Sequence, residues 1–369
     1  MNDDRTVEQI KALGLALIDQ ARAHRVIEPH ADQSGYWFGG GSLCIAPDGN
    51  LLVVGRYRNA GDSTFGLAKG QRGAELAVFE SSNRGASFCK RLSFSKSALG
   101  VDGHEVLSIE GAALMHSESG FELYVSTEKA GVEYPGDLEA FRKPGTGVWS
   151  IDRLAAAGLD GLTHSEPRPV RLPGGPGHLH IKDPSLARFD DGTTVLYFCS
   201  HPFSWASSNS GYALRQAGAT EFGPPVHDFF ARGNCWDVAA TRVTDALTLP
   251  GELFERTQPV SLVFYDGAEC MRPHEQSPNA VRRPRGYSCE ELAGLAWFVG
   301  SALDQIERIS RNQPLFVSPW GTGCCRYIHA CTSPDGVYAA WQQGQISGAQ
   351  PLVLNFLSWD EVRRVIAEA

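Results

Sequence analysis

An all-β chain arranged as a five-bladed β-propeller, with a short helix near each end, is the architecture this sequence predicts, and three observations carry it. Asp-Gly turns recur between β-rich runs, at Pro47-Asp48-Gly49-Asn50, Asp190-Asp191-Gly192 and Pro334-Asp335-Gly336, where Asp-Gly supplies the positive φ of a hairpin. Units built around such hairpins number about five, which suits propellers of 4 to 8 four-stranded blades. Finally, Ser108-Ile109-Glu110-Gly111-Ala112-Ala113-Leu114, Ile181-Lys182-Asp183-Pro184-Ser185-Leu186-Ala187 and Cys235-Trp236-Asp237-Val238-Ala239-Ala240 each set a carboxylate in an apolar, strand-like run followed by small residues. Each opens a different unit, so radial blades would bring three acids to one axis. A β-sandwich gives those strands no reason to converge.

The elements follow in chain order. Val7, Ile10, Leu13, Leu17 and Ile18 recur at helical spacing, predicting an amphipathic helix over about 5–24. Blades are expected over about 36–92, 105–172, 178–222, 233–317 and 321–358, with insertions in the second and fourth. Gly39-Gly40-Gly41 suits an innermost strand, where backbones crowd near the axis. In the fourth unit, Tyr265-Asp266-Gly267-Ala268-Glu269 adds two acids after the apolar run Leu262-Val263-Phe264; an Asp-Gly turn at a strand end reads the same residues equally well. In the fifth, Gly321-Thr322-Gly323 lacks the Lys-Ser/Thr terminus of a phosphate loop. Val362, Val365 and Ile366 share one face of a closing helix over 359–369.

Composition narrows the class. The 369 residues, 42% hydrophobic and 20% charged, are ordinary for a globular protein, and without a Ser/Gly-rich or charged linker we read 1–369 as a single propeller domain. A net charge of -9 and a pI near 5.7 offer nucleic acid no basic footprint, and Arg282-Arg283-Pro284-Arg285 is too short to change that. No apolar run reaches 18 residues and the chain starts acidic, so no membrane partner and a cytoplasmic address are expected. The nine cysteines follow no disulfide or zinc spacing, and reduced core thiols such as Cys44, Cys199 and Cys270 account for them better. No metal or other cofactor is expected.

At the three acids the sequence resembles the five-bladed propeller glycosidases, chiefly glycoside hydrolase families 43 and 32 and the related family 130. Lys182-Asp183-Pro184-Ser185, followed by Asp190-Asp191-Gly192 and Val195-Leu196-Tyr197-Phe198, looks like their acid-Pro-small segment and its returning strand. Cys235-Trp236-Asp237 stands where family 32 carries Trp-Glu-Cys-Pro, with Asp for Glu. The first unit, Gly39-Gly40-Gly41-Ser42-Leu43, has no acid, so the set is moved one unit along. The resemblance implies a glycoside hydrolase acting on a small carbohydrate, with Glu110 as base or nucleophile, Asp183 as tuner and Asp237 as acid. Phosphate in place of water would make it a family-130-like phosphorylase. A weaker likeness points to sialidases. Ser81-Ser82-Asn83-Arg84-Gly85-Ala86-Ser87-Phe88 resembles the Asp-box turn, and Arg56, Arg58 and Arg326 resemble a carboxylate clamp.

Other candidates are read from residue type. His178 and His180 alternate before Asp183 and would share a face able to bind sugar hydroxyls or phosphate; packing is the plain alternative. Trp37, Trp205, Trp236 and Trp320 can stack on sugar rings or fill the core. Trp236, beside Asp237, is the expected pocket wall. Substrate contacts are expected from Trp37, His178, His180, Trp236, Asp266, Glu269 and Arg326. A noncatalytic propeller, binding sugar or protein with one face, is the rival reading; it expects the three acids to sit apart or each to be paired with Arg or Lys, with no pocket. Oligomeric state is not written in the sequence.

Overall fold

The computed structural model describes residues 2–58, 73–142, 145–204, 207–269 and 291–369. Trp205, Cys270 and the Arg282-Arg283-Pro284-Arg285 cluster lie outside the described residues.

The chain starts with helix α1 (Asn2–Leu17), shorter than the apolar periodicity suggests. Asp19 ends it by accepting the backbone N–H groups of Ala21 and Arg22 (2.9 and 3.1 Å), a local bond that competes with helix. Strand β1 (His24–Ile27) follows. Blade one is β2 (Trp37–Ile45), β3 (Leu51–Arg58), β4 (Glu75–Ser81) and β5 (Cys89–Ser95). Blade two is β6 (Val106–Ser117), β7 (Gly120–Lys129), β8 (Val148–Ala156) and β9 (Arg168–Pro169). Blade three is β10 (His180–Arg188), β11 (Thr194–His201), β12 (Asn209–Arg215) and β13 (Val226–Phe230). Blade four is β14 (Ala240–Leu249), β15 (Val260–Ala268), β16 (Leu292–Val299) and β17 (Glu307–Arg308). Blade five is β18 (Cys325–Ser333), β19 (Gly336–Gln343) and β20 (Leu352–Ser358), before helix α2 (Trp359–Glu368).

The sequence offers only three strands for blade five. Its fourth is β1, paired antiparallel with β20 through His24↔Leu354 and Arg25↔Val353. The two ends of the chain thus share one sheet and close the ring. The innermost strands β2, β6, β10, β14 and β18 neighbour one another in that order and back to β2, which makes the molecule a five-bladed propeller.

Strand periodicity explains the core. On β3, Leu52 and Val54 pack with blade two while Leu51 and Val53 pack with blade five, as alternation across a pleat requires. Each blade is apolar on both faces, so an inter-blade core fills each gap. The gap between blades four and five also takes Ile10, Leu13 and Leu17 of α1 and Val362 and Ile366 of α2. Ser358 caps α2, accepting from the Glu361 backbone while the Glu361 side chain accepts in return.

The expected hairpins form at the expected places, with Gly49 and Gly192 at φ +85 and +84. The Asp-box-like segment is the β4–β5 turn. There Ser81 Oγ accepts from Gly85 N (2.9 Å) and Asn83 Oδ1 from Ser87 N (3.0 Å). Among the described residues no helix is long and apolar enough to cross a membrane.

Candidate active site

Every innermost strand bulges near its start. Register breaks fall between Gly39 and Ser42, Ile109 and Ala112, Lys182 and Ser185, Val243 and Asp245, and Arg326 and His329. A bulge re-aims side chains beside a site. Here it turns Glu110, Asp183 and Tyr327 toward the axis; the last two have φ of +54 and +50, a backbone region uncommon for any residue but Gly. In blade one the bulge is glycine for a steric reason. A Cβ on Gly41 would lie 1.6 Å from Val54 O, and one on Gly40 would lie 3.0 Å from Arg56 Nη1.

Through that gap Arg56 crosses from β3 into the centre. Its Nη2 donates to Glu110 Oε2 (3.2 Å) and to the Tyr327 hydroxyl (3.3 Å). Glu110 is 3% exposed, and its Oε1 accepts from Ser108 Oγ (2.9 Å). Gly111 N–H donates to Asp183 Oδ1 (2.9 Å). A Cβ on Gly111 would fall 2.6 Å from that oxygen, so the small residue after Glu110 lets two blades meet.

Asp183 Oδ2 accepts from Arg242 Nη1 (3.0 Å) and stands 3.5 Å from Lys182 Nζ. The Cys199 thiol donates to it at 3.5 Å. Burial alone would push Asp183 up, but Lys182 and Arg242 hold it below the usual carboxylate value. Arg242 stands opposite Asp266 in the β14–β15 register. Its Nε and Nη2 reach Asp266 Oδ2 (3.2 and 2.6 Å), Nη2 also faces Glu291 Oε2 (3.1 Å), and its guanidinium carbon lies 3.8 Å from the Tyr327 ring centroid. The Tyr327 backbone N–H donates to Asp266 from another side.

Burial, opposed by Arg242 and reinforced by the charge of Glu291, pushes Asp266 above the ordinary carboxylate range. Glu291 goes the other way: Arg242 and Arg326 overcome its desolvation and hold it low. The two acids share one guanidinium and are driven apart, the pattern that separates an acid from a base. Glu291 is also the accessible one, its side chain 26% exposed against 2% for Asp266.

Lys182, Cys199, His201, Arg242, Asp266 and Glu291 line a cavity of about 60 Å³, room for a few water molecules. Burial keeps His201 neutral and Cys199 a thiol. Among the described residues no cluster of His, Cys, Asp and Glu has the arrangement of a metal site.

The sequence candidates divide. Glu110, Asp183, Asp266 and Arg326 come together on the axis, Arg326 through its ion pair with Glu291. Asp237 does not join them. Strand β14 begins at Ala240, so Asp237 lies in the preceding connection, packed behind Gly267 with its carboxylate 3.1 Å from Arg308 Nε. Trp236 is 4% exposed, packs on Tyr265 and donates to Ser310 O (2.8 Å), which makes it a core residue and not a wall of the cavity.

His178 and His180 do not share a face, because Pro176–His178 forms a helical turn and the strand starts at His180. His178 stacks on His227 (4.1 Å) and faces Asp228, while His180 is buried against Tyr134 and Trp149. The Trp37 ring already carries the guanidinium groups of Arg58 (4.6 Å) and Arg326 (4.0 Å). Glu269 follows the end of β15 and is not among the cavity residues.

Sequence reasoning missed Glu291 and Arg242. Glu291 stands just before the apolar strand Leu292-Ala293-Gly294-Leu295, the same acid-then-strand signal as Glu110, hidden at the end of a long polar insertion. Arg242 stands within β14, opposite Asp266. Of the expected carboxylate clamp, Arg56 and Arg326 do reach the axis, but each is engaged by a carboxylate.

No protein-family model matches the chain, and no curated protein matches it in sequence. Solved structures do match in shape. A glycoside hydrolase superposes with a TM-score of 0.59 at 13% identity, covering 91% of this chain and 90% of the other. An α-L-arabinofuranosidase from Lactobacillus brevis gives 0.55 at 9% identity, over 90% and 93%. A thermostable family-43 glycoside hydrolase gives 0.51 at 11%, over 88% of each. At such identities the likeness is one of fold: this chain has the five-bladed propeller found in those glycoside hydrolases.

Proposed function

We propose that the protein is a glycoside hydrolase that cleaves a small oligosaccharide or glycoside at the axial cavity. The observation that carries this reading is the pair Asp266 and Glu291, two carboxylates on one guanidinium, one pushed toward the protonated form and the other held charged. Glycoside hydrolysis needs that division of labour. Asp266 gives its proton to the leaving oxygen as the bond from the anomeric carbon breaks. Glu291 acts on the other face, taking a proton from the attacking water or bonding to the anomeric carbon itself. Asp183 and Glu110, held by Lys182, Arg242 and Arg56, form the charged floor that fixes the pair's orientation and tunes it. Asp266 thus takes the acid role that the sequence pattern gave to Asp237. The fold shared with glycoside hydrolases supports the reading.

Cys44, Cys89, Cys199, Cys235, Cys325 and Cys331 are free thiols, which supports a reducing, cytoplasmic address, where small imported sugars are the available glycosides.

The test is release of aglycone from a panel of aryl pentosides and hexosides. Asp266→Asn and Glu291→Gln are each expected to lower kcat by about 10²- to 10⁴-fold while keeping a cooperative thermal unfolding transition. A wild-type protein that releases aglycone from none of them, or two variants with full activity, would overturn the assignment.

A further inference from the structure

Arg242 touches more of the axial charge than any other side chain described on the axis, and its geometry is that of a bridge. Three nitrogens reach three carboxylates on three different chain segments: Nη1 meets Asp183 of β10 (3.0 Å), Nε and Nη2 meet Asp266 of β15 (3.2 and 2.6 Å), and Nη2 meets Glu291 ahead of β16 (3.1 Å). The Tyr327 ring lies against the guanidinium at 3.8 Å, and the Tyr327 hydroxyl is itself held by Arg56 (3.3 Å). Such a fork cannot slide toward either acid of the pair. A lysine would bring the charge but no plane and no fork.

We propose that Arg242 is the positioning residue of the pair, bridging Asp266 and Glu291 and fixing the two carboxylates relative to each other. The inference rests on the glycoside hydrolase reading for its kinetic consequence only. Other groups facing the pair act with it and not in its place. Lys182 and Asp183 come from β10, Cys199 and His201 from β11, Arg326 and Tyr327 from β18, Arg56 from β3 and Glu110 from β6. Arg326 reaches Glu291 and Gln350, so it can stabilise the charge on Glu291 but does not bridge the pair. Arg242 alone, among the described residues, hydrogen-bonds or ion-pairs with both.

Removing Arg242 outright would strand three buried carboxylates, so two milder variants test the idea. Arg242→Lys keeps the charge, and Arg242→Gln with Asp183→Asn removes one charge of each sign. Two readouts apply to both: carboxyl titrations followed by ¹³C NMR of the Asp- and Glu-labelled protein, and the pH profile of kcat/KM. In wild type the Asp266 carboxyl, assigned by the signal missing from Asp266→Asn, is expected to titrate above the ordinary range, as are Asp152, Asp237 and Asp245, while Glu291, assigned by the signal missing from Glu291→Gln, stays ionised well below it. Losing the fork weakens the pull on both acids, so both titrations, and with them both limbs of the rate profile, should move up by about one to three pH units. Titrations that stay where they are in wild type, in a variant that melts normally, would overturn the assignment whatever the rate does. If the titrations move as expected but the wild type cleaves no glycoside, the functional reading falls and the role of Arg242 stands.

Discussion

Asp183 and Asp237 show why a residue's sequence neighbourhood locates a site only in part. Both are carboxylates beside apolar, strand-like residues, and both are buried, at 3% and 0% exposure. One faces the axis because a bulge at positive φ turns it there; the other precedes its strand and pairs with Arg308. Burial cost is common to both, since an isolated charge in a protein interior must be neutralised or paired. What separates them is backbone geometry, which the one-letter pattern does not encode. Asp237→Asn should therefore keep kcat within a few-fold of wild type and instead shift stability, by about 1–3 kcal/mol, as Arg308 loses its partner. A urea titration beside a kcat measurement separates the outcomes, and a loss of kcat as large as that expected for Asp266→Asn would return Asp237 to the catalytic set. Glu110 was legible because Gly111-Ala112-Ala113 made its burial unusual. Glu291 was not, because its strand signal begins one residue after a charged run.

At the scale of elements, the hairpins and helices were readable and the bulges were not. Asp-Gly turns announce themselves through the positive φ they require, and the capping box at Ser358 and Glu361 marks the start of α2 to the residue. A bulge leaves no such mark, although Gly40 and Gly111 are its shadow: Arg56 of the same blade fills the space beside Gly40, and Asp183 of the next blade fills the space beside Gly111. Gly111→Ala makes this measurable. The added methyl would sit 2.6 Å from Asp183 Oδ1 and 2.9 Å from its Cα, so strand β10 must retreat from β6 and the Gly111 N–H bond to Asp183 must lengthen. Overpacking of this kind costs about 1–3 kcal/mol, visible as a lower midpoint in a denaturant titration. Because Asp183 also anchors Arg242, the variant should lose at least tenfold in kcat/KM, with a smaller effect on KM. A variant as stable and as active as wild type would mean that the two inner strands are not locked together as described.

For the whole molecule, the open question in any ring of blades is what keeps the first and last together. Here β1 supplies the outer edge of blade five, and α1 seals the gap between blades four and five. The sequence read α1 correctly as amphipathic, but β1 was illegible. His24-Arg25-Val26-Ile27 is four residues long, lacks a clear alternation, and takes its partner Leu354 from the far end of the chain. Closure of this kind is a long-range contact whose loop entropy is offset only when the rest of the ring is formed. Deleting residues 1–27 would uncover the β20 edge and remove Ile10, Leu13, Leu17 and Ile18, all between 0 and 3% exposed. At about 1.5–3 kcal/mol for each buried apolar side chain, the loss amounts to about 6–12 kcal/mol, comparable to the whole stability of an ordinary domain. The truncated chain should therefore show no cooperative unfolding transition and should associate through its unpaired edge, which calorimetry and light scattering would record. Arg25→Pro is the gentler companion, since it alters the residue opposite Val353 in the β1–β20 edge while leaving α1 in place; a lower midpoint with cooperativity retained is expected. If the truncated protein melted cooperatively at the wild-type temperature, three strands and a helix cap would suffice for blade five, and the shared sheet of the two chain ends would not be what holds the ring closed.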